Sequence, residues 1–430
     1  MQPRLLLLIS CMGILFLTVK LEASHKKTIV ALNSRLLRYT GTLPANPSIH
    51  IALRLSEHHN LNVNWKYLHR LKTDLRRKLS RSQPGSEPST GLVALYLLAL
   101  RASCQSMQAR QPALLYLKNK LDAEGNDTKH HHVPLSSHYQ YSLGVLALCV
   151  NNIRVHHVVL SGLMPHHHHH HHHLHHLHHS IDTSVMVVLA LKCVLESKAP
   201  NSNHWMYSQH TRHKVQNEVN ELMEMIRRKQ ESSGALGNPY STSLALQALL
   251  ATGHEEQWLK GRSYLLQKAK QGAFQNPMAL SQLLPVLYQK TYLDIGQMDC
   301  HNETGGLRWN DPELQTTTDE AEPSPLPGFV YLSAKDKNLA TIYRARVPLH
   351  SGMSLLEVLH EAKRNDTNFS FETVPTMWGP FLTSVNHIAG QDSTRTYWRL
   401  HSGTHTPLIQ GIQDYHPQQG EHILLQLSNF

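Results

Sequence analysis

Residues 89–102 read STGLVALYLLALRA, a run almost free of polar side chains behind a Ser-Thr start. A helix that is apolar on nearly every side has to be buried. Ser or Thr at its start can accept hydrogen bonds from the free N–H groups of the first turn. The run therefore predicts an interior helix with a capped beginning.

Five further runs have the same character, and each begins at a capping or helix-breaking residue. They are 46–55, 141–150, 182–195, 240–250 and 276–287. Between them lie helices with one apolar stripe and a charged face, such as the one that carries Trp65, Leu68 and Leu75. Six buried helices alternating with outer ones predict a mainly α fold, an α6/α6 barrel or toroid, with an irregular helical bundle as the alternative.

The capped starts have a consequence for binding. If the six inner helices are parallel, their first turns gather on one rim and surround a central depression with N–H groups, hydroxyls and amides. A polar ligand with amide arms would find donors and acceptors there.

The composition changes after Cys300. Residues 316–328 read TTTDEAEPSPLPG, which is typical of a linker. Beyond it, residues 341–347 and 422–427 predict strands and 354–362 an amphipathic helix. The predicted division is a signal peptide over 1–23, a helical barrel over 24–310, a linker over 311–338 and a small β-rich α+β domain over 339–430.

The amino terminus indicates export. Arg4 precedes an apolar run from Leu5 to Val19, and Ala23 is a plausible cleavage point. No later run is long and apolar enough to span a bilayer, so we expect a secreted, extracellular protein without membrane insertion.

The cysteines and the N-x-S/T sequons are consistent with export. Cys11 leaves with the signal peptide, and the other four predict two disulfides with three possible pairings: Cys104, Cys149, Cys193 and Cys300. Asn126, Asn302, Asn365 and Asn368 begin N-x-S/T sequons and are therefore candidate glycosylation sites.

The net charge of +10 is not concentrated in one binding stripe. Its densest run, residues 70–81, alternates basic residues with leucines at helical spacing, which is typical of a solvated outer face. Since export also removes the usual nucleic-acid partners, we expect none.

A histidine tract, His166 to His173, continues in looser form to His179. Imidazole is a common metal ligand, but a homopolymeric run fixes no coordination geometry. The tract is best interpreted as a low-complexity loop, with opportunistic binding of divalent metals as the functional alternative.

No motif of a hydrolase, zinc peptidase or nucleotide-binding enzyme is present. Many α6/α6 toroids are glycosidases that use an acidic pair. The rim acid here is Asp182, and it is more easily interpreted as the N-cap of the fourth inner helix.

Several ordered segments resemble one family, the cobalamin transport proteins, which comprises transcobalamin, intrinsic factor and haptocorrin. The resemblance runs from about Asn46 to the C-terminus. The segments that carry it are TGLVALYLLALR (90–101), SIDT (180–183), GNPYST (237–242), SQLLP (281–285), KTYLD (290–294) and GPFLTSV (379–385). It implies an α6/α6 barrel joined to a β domain, with a cobalamin, a cobalt corrinoid, bound between them.

The resemblance also implies the corrin contacts. In the helical domain they are Ser136, Tyr139, Gln140, Asp182, Asn238, Ser241 and Gln282. In the β domain they are Leu382, Ser384, Trp398, Arg399 and Leu400. The amide and hydroxyl groups would bond the corrin side chains, and Trp398 would cover apolar ring surface.

In transcobalamin a histidine just before the motif that matches SIDT replaces water on cobalt, whereas intrinsic factor and haptocorrin lack it. Here His179, or alternatively His178, occupies that position, which favours the transcobalamin branch. The corrin supplies four equatorial ligands, so one neutral imidazole completes the shell, and ligation should weaken at low pH.

The chain also departs from the family pattern. Leu92 and Arg399 stand where glutamine is common, and the histidine tract is no family motif. The family pairing implies disulfides Cys104–Cys300 and Cys149–Cys193, whereas the bridge near the N-terminus has no cysteines here.

The sequence therefore predicts a secreted, non-enzymatic, monomeric carrier that encloses cobalamin between its domains and delivers it through a cell-surface uptake receptor. The alternatives are an α6/α6 glycoside hydrolase and a histidine-rich protein that binds divalent metals.

Overall fold

The computed structural model describes residues 24–41, 44–80, 87–131, 136–164, 180–200, 202–301, 303, 305–307, 328–350, 352–376, 379–391, 396–403, 406–408, 411–413 and 415–429. The expected signal peptide over 1–23 lies outside these ranges. The chain divides into two compact units, Met1–Leu314 and Gln315–Phe430. No helix in the described part is long and apolar enough to cross a membrane.

The first unit is helical. Its helices are α1 (24–41), α2 (Pro47–Leu55), α3 (Leu61–Leu79), α4 (Thr90–Ala102), α5 (Met107–His131), α6 (His138–Val150), α7 (His157–Ser161), α8 (Ile181–Glu196), α9 (Gln209–Arg228), α10 (Pro239–Ala251), α11 (Glu255–Lys270) and α12 (Pro277–Leu287), followed by a 3-10 helix, Tyr292–Gln297.

The even-numbered helices α2 to α12 form a closed inner ring, because each packs against the next and α12 packs against α2. They are the six predicted interior helices, and nearly all their side chains are buried. The striped helices, such as α3 and α9, bury one face. The predicted α6/α6 barrel is confirmed.

The inner helices are parallel, since the starts of neighbours meet. The N–H of Gly91 at the start of α4 donates to Gln140 Oε1 at the start of α6 over 3.2 Å. At the opposite ends, disulfides join Cys149 to Cys193 and Cys104 to Cys300. The pairing implied by the resemblance is confirmed.

Side-chain oxygens cap five of the six inner helices, and the capping residues are Asn46, Ser89, Ser137, Asn238 and Asn276. Helix α8 begins differently: its N-cap is Ser180, which makes no side-chain capping bond, and Asp182 lies in the first turn. The interpretation of Asp182 as an N-cap was wrong, because α8 begins at Ile181, two residues earlier than that role requires.

The second unit contains strands β1 (Gly328–Lys335), β2 (Thr341–Leu349), β3 (Phe371–Thr376), β4 (Gly379–Val385), β5 (Ile388–Ala389), β6 (Thr396–Ser402), β7 (Thr406–Pro407) and β8 (His422–Asn429), and helix α13 (Leu355–Asn365). One sheet has the order β2-β1-β8-β6-β7, with β8 parallel to β1 and antiparallel to β6. The other has the order β3-β4-β5. The small α+β unit is thereby confirmed.

Strand β1 occupies residues that were expected to belong to the linker over 311–338. Val330, Leu332 and Ala334 alternate along it and are fully buried in the core of this unit. This period-two pattern defines a half-buried strand. The strand begins at Gly328, where the Pro-rich composition ends.

A buried histidine in α2 makes the helical unit sensitive to acid. His50 is fully buried, and its Nε2 lies 2.7 Å from Ser103 Oγ. Burial, and secondarily the charge of Arg54, lowers the pKa of His50 to about 3 from its usual 6.5. The unfolded chain therefore binds an extra proton between these two values, and stability falls as the pH drops below 6.5.

We expect His50→Leu to reduce the loss of stability that the wild-type protein shows as the pH falls below 6.5. At pH 4 the wild-type histidine costs about 3 kcal/mol relative to neutral pH, by linkage between the two pKa values. The measurement is the free energy of unfolding of both proteins from pH 7 to pH 4, followed by helical circular dichroism. The exposed His69→Leu on α3 is the control, and an unchanged slope in His50→Leu would contradict the assignment.

Candidate functional site

The capped rim of the helical unit brings several predicted site residues together around Asp182. The Asp182 carboxylate accepts a hydrogen bond from Ser241, which lies in the first turn of the neighbouring α10. Burial raises the pKa of Asp182, and the Ser241 bond lowers it in part. Its second oxygen, Oδ1, is buried without a hydrogen-bond partner among the described residues.

A buried carboxylate oxygen without a partner is costly, because desolvation is not offset by a hydrogen bond. Such an atom is satisfied when a ligand supplies an N–H donor. The Asp182 carboxylate can therefore accept a hydrogen bond from a donor group that reaches the rim, such as a primary amide.

Tyr139 lies on the same side of the ring, in the first turn of α6. Burial raises the pKa of Tyr139 well above 10, with further contributions from Tyr292 and Asp182. The phenol therefore stays neutral at physiological pH.

Three other predicted site residues at the rim are Asn238, Gln140 and Gln282, and two of them bond to backbone N–H groups at helix starts. Asn238 Oδ1 caps α10 by accepting from the N–H groups of Tyr240 and Ser241 at 2.9 and 2.8 Å. Gln140 Oε1 is taken by Gly91, as described above, and Gln282 lies half-buried in α12. These hydrogen bonds use the amide oxygens of Asn238 and Gln140. The amide nitrogens of the two residues take no part in them.

Ser136 is held by a residue that the sequence analysis did not single out. Its N–H and hydroxyl both donate to Glu124 Oε2, at 3.0 and 2.5 Å. Glu124 is 2% exposed and also accepts from Thr90 Oγ1 at 2.8 Å. Its signal in the sequence would have been an acid on the apolar side of α5.

A further residue behind the site, Gln247, was missed. Gln247 is fully buried in α10, and its Oε1 accepts from the Tyr292 N–H at 2.9 Å. Gln247 Nε2 is buried without a hydrogen-bond partner within the described chain. The signal was visible, because Gln247 is the one polar residue in the run 244–251, LALQALLA.

In the C-terminal unit, the predicted contacts fall into two groups. Leu382 and Ser384 are buried on the inward face of β4, and Trp398 is 2% exposed, with its indole N–H donating to Ile388 O at 3.0 Å. Arg399 is exposed and Leu400 half-buried on β6. Trp398 thus serves the core of this unit, and its role in covering a ligand stays a prediction.

The proposed cobalt ligands, His178 and His179, lie outside the described residues, as does the tract His166 to His173. Among the residues that are described, no group of His, Cys, Asp and Glu side chains is arranged to hold a metal ion. The glycosidase alternative gains no support at Asp182, since burial and the Ser241 hydroxyl are the causes of its pKa shift and neither is a second carboxylate.

Three predicted glycosylation sites can be located. Asn126 lies exposed near the end of α5, and Asn365 and Asn368 lie exposed at and beyond the end of α13. Asn302 is outside the described residues. Glycosylation of these sites stays a prediction.

The chain is similar to several known proteins. Residues 2–320 match the family model of the eukaryotic cobalamin-binding proteins. Bovine transcobalamin-2 is 35% identical over 448 residues, which cover 98% of each chain. Human cobalamin binding intrinsic factor is 30% identical over 419 residues, covering 91% of this chain and 89% of that protein.

A solved structure is also similar to this chain. The crystal structure of haptocorrin in complex with Cbi aligns with a TM-score of 0.73 and 25% sequence identity, covering 94% of this chain and 97% of that one.

Proposed function

Because this chain belongs to the eukaryotic cobalamin-binding protein family, we propose that it binds one cobalamin at the capped rim of its helical ring and transports it. The observation that carries this proposal is the Asp182 carboxylate, whose buried Oδ1 has no partner in the described part of the chain. Cobalamin bears primary amide arms, and an amide N–H is the donor that this oxygen requires.

Several finer points belong to the proposal. The chain is secreted, retains its ligand by enclosure between the helical and C-terminal units, and delivers it through receptor-mediated uptake. Slow dissociation from an enclosed site, and not turnover, is what a carrier needs. The relatives named above are transport and binding proteins, which supports a non-catalytic role.

The experiment that tests the proposal is titration of the purified, ligand-free protein with aquocobalamin. We expect one corrinoid per chain to co-elute with the protein after gel filtration, with a shifted visible absorption band. Several Zn²⁺ ions bound per chain, with no retention of corrinoid, would favour the histidine-rich metal-binding alternative and refute the carrier.

A variant pair tests the proposed cobalt ligand. His179 stands just before the SIDT segment, where transcobalamin has its cobalt-binding histidine. Because neutral imidazole binds metals well, we propose that His179 replaces the water on cobalt. We expect His179→Ala to retain the corrinoid but to keep the absorption spectrum of the aquo form, whereas His178→Ala behaves as wild type. The spectra of the loaded variants are compared at neutral pH, and a His179→Ala spectrum identical to that of wild type would refute the assignment.

A further inference from the structure

The disulfide Cys104–Cys300 differs from the other bridge in its surroundings. Cys104 is exposed just after the end of α4, and Cys300 is half-buried in the irregular segment that follows the 3-10 helix. In the other bridge, Cys149 is 4% exposed in the last turn of α6, and Cys193 lies within α8. A thiol in solution can therefore approach the first bridge, at Cys104, more readily than the second.

The backbone at Cys104 has an uncommon conformation. Its φ is 51°, in the left-handed region that favours glycine. The N–H of Cys104 donates to Arg101 O at 3.0 Å, and that of Gln105 donates to Leu100 O at 3.1 Å. Cys104 thus stands just after the C-cap of α4, where glycine is the usual residue. A side chain in this region costs free energy and persists only where its surroundings hold it, and the bridge to Cys300 is one of these constraints.

A buried arginine lies beside the other sulfur. One terminal nitrogen of Arg54 is 3.2 Å from Cys300 Sγ. Arg54 is 5% exposed, and its Nε donates to Ala102 O at 3.0 Å, which holds the guanidinium in this place. A guanidinium stays charged at physiological pH, and a cation beside a cysteine stabilises the thiolate. Because a stabilised thiolate leaves faster in thiol–disulfide exchange, Cys300 is suited to be the leaving group.

Two further contacts determine what happens beside this arginine. Both oxygens of Glu303 contact Arg54, one of them at 2.7 Å, so the Glu303 charge opposes a nearby thiolate and limits its stabilisation. The N–H groups of Gly306 and Leu307 donate to His59 O, each at 2.9 Å. These bonds attach the segment to the helical unit independently of the bridge, and we therefore expect a released thiolate to stay near Arg54.

We propose that the Cys104–Cys300 bridge is a site of reversible modification by low-molecular-weight thiols, and that Cys104 is the residue modified. The incoming thiol loses its proton to water, and its thiolate attacks Cys104 Sγ. A new S–S bond forms there, the bond between the two cysteines breaks, and its electron pair goes to Cys300 Sγ, beside Arg54. Attack of the Cys300 thiolate on the mixed disulfide restores the bridge and releases the thiol. This chemistry does not depend on the binding of a corrinoid.

The first test treats the folded, ligand-free protein with reduced glutathione at pH 8 without denaturant. Excess N-ethylmaleimide then caps every free thiol, and peptide mass spectrometry locates both groups. We expect glutathione on Cys104 and the maleimide on Cys300. The bridge should open at least about 10-fold faster than Cys149–Cys193, because access and the leaving group both favour it.

The Cys149–Cys193 bridge is the internal control for unfolding, since an unfolded chain exposes all four of these cysteines. Equal rates of opening for the two bridges would overturn the proposal. Glutathione on Cys300 with the maleimide on Cys104 would overturn it as well, because the wrong sulfur would then be the leaving group.

The second test addresses the role of Arg54. A limiting amount of a phosphine reductant opens the first bridge, and alkylation of its two thiols by iodoacetamide is followed against pH. We expect the midpoint of Cys300 to lie about one pH unit below that of Cys104, since a neighbouring cation lowers the pKa of a thiol. Glu303→Gln removes the opposing charge, so it should lower the midpoint of Cys300 further and leave that of Cys104 in place.

Glu224→Gln is the matched control, because Glu224 pairs with arginines on the exposed surface of α9 and should change neither midpoint. The closed Cys149–Cys193 bridge and the helical circular dichroism show that Glu303→Gln is folded during the measurement. Equal midpoints for Cys104 and Cys300, in the wild type and in Glu303→Gln alike, would overturn the role of Arg54.

Discussion

Asp182→Asn is expected to weaken retention of cobalamin strongly while it makes the ligand-free protein more stable. In the free protein the buried carboxylate has one oxygen without a hydrogen-bond partner among the described residues, and removing its charge relieves the desolvation that raises its pKa. In the loaded protein the same charge would strengthen the hydrogen bond to a ligand amide. A bond of this kind contributes about 1.5–3 kcal/mol, so dissociation should accelerate about 10- to 100-fold.

The measurement pairs the melting temperature of the free protein with the dissociation rate of aquocobalamin. Asp294→Asn is the control, because Asp294 serves the capping box of the 3-10 helix and its loss should lower stability. If Asp182→Asn lowers the melting temperature and leaves dissociation unchanged, Asp182 is a structural residue and not a ligand contact.

Glu303→Gln is expected to destabilise the helical unit by about 3–5 kcal/mol, the cost of leaving one member of a buried ion pair alone. Arg54 is 5% exposed on the inner helix α2, and both of its terminal nitrogens contact the Glu303 carboxylate, one of them at 2.7 Å. Its Nε also donates to Ala102 O at 3.0 Å. The neutral amide cannot balance the guanidinium charge in this position.

Chemical denaturation of the ligand-free protein measures this effect. Glu224→Gln is the matched control, since Glu224 pairs with Arg227 and Arg228 on the exposed surface of α9, where an ion pair contributes about 0–1 kcal/mol. A loss from Glu303→Gln as small as that from Glu224→Gln would show that the buried pair is not a major source of stability.

The fold was predictable where local chemistry leaves one solution. A helix with the sequence STGLVALYLLALRA is apolar on nearly every side and has to be buried. Six such helices can be buried together by packing against one another. Two strands of the C-terminal unit, β2 and β8, were predicted in the same way from β-branched residues and a turn signal. The end of the linker was placed too late, at residue 338, because the strand residues Val330, Leu332 and Ala334 follow directly on the Pro-rich stretch.

The resemblance supplied the candidate site residues, and the tertiary structure decided what several of them do. It placed Asp182 in the first turn of α8, beside Ser241 of another helix, and buried Trp398 in a core. These outcomes depend on which surfaces meet across long sequence separations, which no local pattern encodes.

The sequence by itself determined that this chain has six interior helices, an appended β-rich unit and, beyond the expected signal peptide, four cysteines for two bridges, because burial and composition are local properties of the chain. Only the tertiary structure decided that the Gln247 amide accepts from the Tyr292 N–H and that Ser241 of α10 bonds to Asp182 of α8. These contacts join elements that are far apart in the sequence, and the strength of a buried hydrogen bond depends on the water that the packed elements exclude together.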